Sequence, residues 1–178
     1  MKKINEIIDT IKKLIDYAFY DELTKCLNRR GFKWRANELN LFSKKNREKR
    51  KIFHCIILAD IDNLKYVNDN FGYNKGDKLI KTVASNLKRK FRKEDIICRW
   101  GGDEFLILAL NVNKKNFPKK IKEIKEYIDG KIEKFKSSLS IGYSFFKPSE
   151  NFKKIFEKTN KGVKISKKTG KGKIIKVN

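Results

Sequence analysis

Residues Ile52–Ala59 form an apolar stretch of strand length that runs straight into Asp60-Ile61-Asp62. A strand with one wet face alternates polar and apolar residues, whereas a continuous apolar run needs cover on both faces. This stretch therefore reads as the central strand of a sheet, with carboxylates at its carboxyl end. A short helical segment through Asn70 and a turn at Gly72 follow, then a longer helix bearing Leu79, Ile80, Val83 and Leu87. Asp95–Trp100 and Glu104–Leu110 read as strands around Gly101-Gly102-Asp103, a tight hairpin. Pro118 opens a helix carrying Ile121, Ile124, Ile128 and Ile132. Leu139–Phe146 is a strand, Phe152–Lys168 a more weakly patterned helix and Lys173–Val177 a last short strand.

From residue 52 the order is β-α-α-β-β-α-β-α-β. Its βαββαβ core is the ferredoxin-like, palm-type α+β pattern, a central antiparallel sheet flanked by helices. A right-handed crossover makes the first two strands parallel, and the third lies between them, antiparallel to both. Asp60 and Asp103, 43 positions apart, are then expected to face each other across one sheet edge. Upstream, Ile4, Ile7, Ile8, Ile11, Leu14, Ile15 and Ala18 recur at helical spacing. Residues 1–19 read as an N-terminal amphipathic helix, seeking a partner helix or packing back on its own domain, and residues 20–178 as the main domain. Asp21–Arg30 is a polar joint, a second helix places Phe32, Ala36, Leu39 and Phe42 on one face, and Ser43–Lys51 is a charged loop.

Lys and Arg total 45 against 21 Asp and Glu, a formal charge of +24. Such a surface attracts polyphosphates. Its clusters (Lys44–Lys51, Lys88–Lys93, Lys114–Lys120, Lys167–Lys173) are scattered and Lys-rich, with no interleaved aromatic signature, so specific nucleic-acid binding is not expected. The hydrophobic share of 39% and thirteen Phe supply a core and exclude a disordered basic tail. No apolar run reaches the roughly 18 residues of a membrane span, and charges interrupt any signal-peptide core, so a cytoplasmic domain is expected. Cys26, Cys55 and Cys98 form no CxxC, and Cys55, Cys98 and His54 read as packed strand residues.

Two carboxylates at adjacent strand ends make a hard-oxygen site suited to Mg²⁺, and a paired-metal site can clamp a triphosphate for in-line displacement. A Gly-Gly turn lets backbone approach a ligand closely. The string Arg99-Trp100-Gly101-Gly102-Asp103-Glu104-Phe105 resembles the signature of diguanylate cyclases, the GGDEF family. Ala59-Asp60-Ile61-Asp62-Asn63-Leu64-Lys65 through Asn68-Asp69, then Gly72 and Gly76-Asp77, is similar to its second block. Asp21-Glu22-Leu23-Thr24 with Asn28-Arg29-Arg30 resembles its N-terminal joint, and Leu139-Ser140-Ile141-Gly142 its late strand.

The resemblance implies a cyclase that condenses two GTP into cyclic di-GMP and two pyrophosphates, in a homodimer of half-sites with two Mg²⁺ (or Mn²⁺) ions each. Asp60, Asp103 and the Ile61 carbonyl would ligate metal, and Asp103 or Glu104 would assist deprotonation of the 3′-hydroxyl. Gly101-Gly102 would approach the substrate. Asn68 and Asp77 would read the guanine edge; a carboxylate at Asp77 can accept from both N1–H and the 2-amino group, a donor pair that adenine lacks. Backbone N–H groups of Asn63 and Leu64, with Lys65, Lys167 and Lys171, would hold phosphates. Arg92 and Asp95, an RxxD upstream of the signature, would bind the product as an inhibitor. The chain departs from the pattern at Lys171, where the family has Arg, at Lys164, where it has Tyr, and at Tyr73, where His is common. The alternatives are a catalytically silent effector domain binding cyclic di-GMP or GTP, a polymerase-like palm and a cyclase for mixed dinucleotides.

Overall fold

A computed structural model describes residues 1–42, 52–148 and 150–178. The elements are α1 (Lys2–Phe19), α2 (Arg29–Glu38), β1 (His54–Ile61), α3 (Leu64–Phe71), α4 (Tyr73–Lys90), β2 (Ile96–Arg99), β3 (Glu104–Ala109), α5 (Phe117–Ile132), β4 (Leu139–Phe146), α6 (Phe152–Lys168) and β5 (Ile174–Lys176). The strands form one sheet in the order β2-β3-β1-β4-β5. β3 runs antiparallel to both β1 and β2, β4 antiparallel to β1, and β5 parallel to β4. The expected α+β architecture is therefore present, with β1 central and every one of its residues buried.

Alternation along β1 divides the core between two layers. Cys55, Ile57, Ala59 and Ile61 pack with Leu79, Val83 and Leu87 of α4 and Ile121, Ile124 and Ile128 of α5. Ile56 and Leu58 pack on the other face with Phe32 and Ala36 of α2 and Ile155 and Val163 of α6. Burying side chains of this size contributes about 1.5–3 kcal/mol each, which is why β1 tolerates no polar alternation. α6 lies unusually close to β4, because a Cβ on Gly142 would stand 2.2 Å from the Thr159 carbonyl oxygen. That close approach brings the last turn of α6 over the end of β1.

One local expectation changes. The face expected to run from Phe32 to Phe42 is not all helical: α2 ends at Glu38, and Asn40 turns left-handed (φ 50°). Phe42 still joins the same core, stacking on Phe146 at 5.6 Å. The charged loop 43–51, with the Lys44–Lys51 cluster, lies outside the described residues. Cys26, Cys55 and Cys98 are buried free thiols. His54 is packed as expected, its Nδ1 accepting the Asn111 N–H at 3.1 Å. Trp34 stacks on Phe19, with 5.3 Å between ring centroids.

Among the described residues, only the C-terminal end of α1 docks on the domain. Asn28 caps α2 through the Arg30 and Gly31 N–H groups and donates to the Ala18 carbonyl. Further back the apolar stripe is bare, with Ile4 61%, Ile11 49% and Leu14 62% exposed.

Candidate active site

The end of β1 and the β2–β3 hairpin meet as the topology requires. The Ile61 N–H donates to the Asp103 carbonyl at 3.0 Å, and Asp60 stands opposite Glu104 in the ladder. The hairpin closes where the Glu104 carbonyl accepts from Trp100 (2.7 Å) and Gly101 (3.2 Å). A Cβ at Gly101 would come 2.7 Å from Glu104 Oε2, whereas a Cβ at Gly102 would meet nothing. A side chain at Gly101 would thus push the Glu104 carboxylate aside, whereas Gly102 leaves open space beside the acids.

Asp60 is the most unusual carboxylate. Its side chain is 4% exposed; Oδ2 accepts from Lys167 Nζ at 2.6 Å, and Oδ1 is buried with no hydrogen-bond partner. Burial, helped by the charges of Asp103 and Glu104, pushes its pKa up to about 6 despite the ion pair. Lys167 is held above the ordinary lysine value, since burial is outweighed by the bond to Asp60 and by the charges of Asp60, Asp103 and Asp62. A buried oxygen without a donor, with two more carboxylates near enough to act on its charge, is a position that a cation would relieve. Among the described residues, no three of His, Cys, Asp and Glu cluster tightly enough to hold an ion alone. A hard cation would therefore take Asp60, Asp103 and a backbone oxygen such as that of Ile61, and complete its shell with water and phosphate oxygens, as Mg²⁺ does.

The remaining phosphate candidates converge on the same edge. Lys171, in a left-handed turn (φ 63°), donates from Nζ to Asn63 Oδ1 at 2.8 Å, and Asn63 Nδ2 donates to the Lys136 carbonyl. α3 begins at Leu64, so the N–H groups of Leu64 and Lys65 have no carbonyl four residues back within the helix. Lys65 is exposed. Asn68 lies in the last turn of α3 and Asp77 in the second turn of α4, on either side of Gly72 (φ 80°).

Two functional supports were not legible in the sequence. Asp62, 2% exposed, accepts from Ser138 Oγ (2.7 Å), Ser140 Oγ (2.8 Å) and the Gly172 N–H (3.1 Å). It ties the end of β1 to the start of β4 and to the turn after α6. Asp21 accepts from Arg99 Nη1 and from the Thr24 N–H and hydroxyl, and these partners outweigh burial and hold its carboxyl below the ordinary value. Arg99 also donates to the Gly102 carbonyl at 2.7 Å, so it links the N-terminal joint to the hairpin. The only signal in the sequence was that both acids lay inside strings already singled out.

Arg92 and Asp95 sit away from this edge. Asp95 Oδ1 accepts from the Leu110 N–H and Oδ2 from the Arg92 N–H, both at 2.9 Å, while the Arg92 side chain is 59% exposed. Beside them is a hollow of about 440 Å³ lined by Tyr20, Trp34, Arg35, Lys88, Arg92 and Asp95, among others. Trp100 does not line the acids; it packs against Phe156 at 5.0 Å, with the Arg29 guanidinium over its ring.

Similar proteins share both the chain pattern and this architecture. The probable diguanylate cyclase DgcT of Escherichia coli K12 is 29% identical over 95% of the chain, and the diguanylate cyclase DosC of the same organism 24% over 96%. The chain spans 38% and 39% of those two proteins, under two fifths of their length. A crystal structure of the coiled coil and GGDEF domain of DgcB from Caulobacter crescentus, in complex with c-di-GMP, superposes with a TM-score of 0.83 at 20% identity, covering 99% of this chain and 94% of that one. The GGDEF domain of that protein alone gives 0.76 at 24% identity, covering 89% and 95%. The diguanylate cyclase GGDEF domain matches residues 18–173, which takes in the acidic edge, the α3–α4 turn and the Lys167–Lys171 segment, and this chain belongs to that family.

Proposed function

We propose that the chain is a diguanylate cyclase that condenses two GTP molecules into cyclic di-GMP with release of two pyrophosphates. The observation that carries this reading is Asp60. A carboxylate buried with one oxygen unpaired and its charge opposed by burial and two neighbouring acids is costly to a fold that does not use it. Asp60, Asp103 and the Ile61 carbonyl would hold Mg²⁺ or Mn²⁺, which when bound polarises phosphate oxygens and lowers the pKa of a hydroxyl.

The chain's own residues then divide the work. Lys167 and Lys171, with the first N–H groups of α3, neutralise the triphosphate. Lys171 offers a point charge where the family has a guanidinium fork, so its grip is less directional. Asn68 and Asp77 read guanine, Asp77 by accepting from N1–H and the 2-amino group. Glu104 or Asp103 accepts the 3′-hydroxyl proton as that oxygen attacks the α-phosphorus of the second nucleotide, and pyrophosphate leaves.

One chain supplies one half-site, so turnover requires two copies. The bare stripe of α1 is suited to pairing with a second copy and would raise the effective concentration of half-sites. Arg92 and Asp95, beside their hollow, are the proposed product site, the backbone N–H groups on Asp95 holding it in place for a ligand that Arg92 grips.

The test is to incubate the protein with GTP and Mg²⁺ at several protein concentrations and identify products by mass. Cyclic di-GMP should form at a rate rising faster than linearly with protein and should vanish in Asp103→Asn. Ligand binding without product would instead support a silent effector domain. Supplying ATP with GTP should give no mixed dinucleotide.

A further inference from the structure

The α3–α4 corner contains a glycine whose reason is not conformational. Gly72 turns the chain with φ 80°, but Gly76, in the first turn of α4, has ordinary helical geometry and is buried. A Cβ built on Gly76 would stand 1.8 Å from Asn68 Oδ1 and 2.9 Å from Asn68 Cγ, with Leu64 Cδ1 at 3.4 Å behind. No rotamer adjustment of a few tenths of an ångström absorbs an overlap of that size; the Asn68 amide would have to leave. The carboxamide therefore occupies the volume that any other residue at 76 would fill, one position before Asp77.

We propose that Gly76 is a specificity-positioning residue, which by lacking a side chain lets the Asn68 amide lie against α4 beside Asp77, so that donor and acceptor groups face one nucleobase edge together. A lone carboxylate at 77 can only accept. Guanine's edge also presents the O6 and N7 acceptors, which need a donor, and the Asn68 amide supplies one. The inference rests on the reading of Asn68 and Asp77 as the guanine readers, and it concerns binding rather than turnover.

Gly76→Ala separates a structural from a positioning role, because the two predict opposite outcomes. Alanine has the higher helix propensity, so the substitution favours α4 itself. Thermal unfolding and calorimetric titration with GTP, ATP and tripolyphosphate, each with Mg²⁺, are compared for wild type, Gly76→Ala, Asn68→Ala and the double variant. Gly76→Ala is expected to keep or exceed the wild-type midpoint yet bind GTP about tenfold more weakly, the equivalent of one lost hydrogen bond to the base. ATP and tripolyphosphate binding should not change, and the double variant should match Asn68→Ala, because the residue displaced is already gone. Undiminished GTP affinity in Gly76→Ala overturns the proposal. So does an equal loss for GTP and tripolyphosphate, or an additive loss in the double variant. Should Gly76→Ala unfold, the double variant relieves the overlap and decides alone: it must fold and match Asn68→Ala. Wild type that does not prefer GTP to ATP defeats the guanine reading itself, a separate failure.

Discussion

Replacing Asp60 by Asn should stabilise the free protein while destroying its capacity for a cation. The folded state raises the Asp60 pKa from the ordinary 3.8 to about 6, a value that already includes the attraction of Lys167. At 1.36 kcal/mol per pH unit, ionised Asp60 costs the fold about 3 kcal/mol. The sign follows from proton binding. Between about 4 and 6 the native state holds the proton that the unfolded chain has lost, so stability falls as pH rises through that window. Below it the cost is absent, and above it the cost is complete. An amide has the shape of the protonated acid and no charge, and Lys167, 41% exposed, can turn to water. Asp60→Asn should therefore melt roughly 6–12 °C higher than wild type at pH 7.5 for a domain of this size. Thermal unfolding followed by circular dichroism, in metal-free buffer at pH 4, 5, 6 and 7.5, gives the comparison. The gap should be near zero at pH 4 and open between pH 4 and 6. Adding Mg²⁺ should narrow it, since only the carboxylate gains by ligand binding, about 1.4 kcal/mol at ten times Kd. A less stable variant at pH 7.5, or a gap of the same size at pH 4, would refute the reasoning.

Asp62→Ala should cost about 2–4 kcal/mol, because three donors from two distant segments lose one buried acceptor; a urea midpoint unchanged from wild type would contradict this. The proposed product site should be probed at Arg92, not Asp95. Arg92→Ala is expected to lower cyclic di-GMP affinity with a stability change within about 0.5 kcal/mol, whereas Asp95→Ala strands the Leu110 N–H and destabilises by about 1–3 kcal/mol, as paired urea and ligand titrations would show. Ile11→Glu with Leu14→Glu should leave the melting temperature of the domain unchanged, because both side chains are already about half exposed, and should reduce self-association in sedimentation experiments. Unchanged association would remove α1 from the pairing role.

The polar contacts of this chain explain where its glycines stand. Gly101 stands where Glu104 would clash with a side chain, Gly76 where Asn68 would, and Gly142 where the α6 backbone would. In each case a small residue marks a place where another part of the site needs room.

Hydrophobic period is a local property, and it was sufficient for the element order. The unalternating run before Asp60 made β1 central, and the handedness of the crossover brought Asp60 and Asp103 together from 43 residues apart. The limit appeared where period gave way to cap chemistry, as at the end of α2, where Asn40 turns out of the helix before Phe42. Tertiary structure decided how the polar groups pair. Lys167 reaches Asp60 only because Gly142 lets α6 lie close on β4, and Asp62 finds Ser138, Ser140 and Gly172 at separations of 76, 78 and 110 residues. No pattern along a chain encodes such pairings: a charged or hydroxyl side chain is equally at home in water, and which partner replaces that water depends on which segments the packed core has already brought within hydrogen-bonding reach.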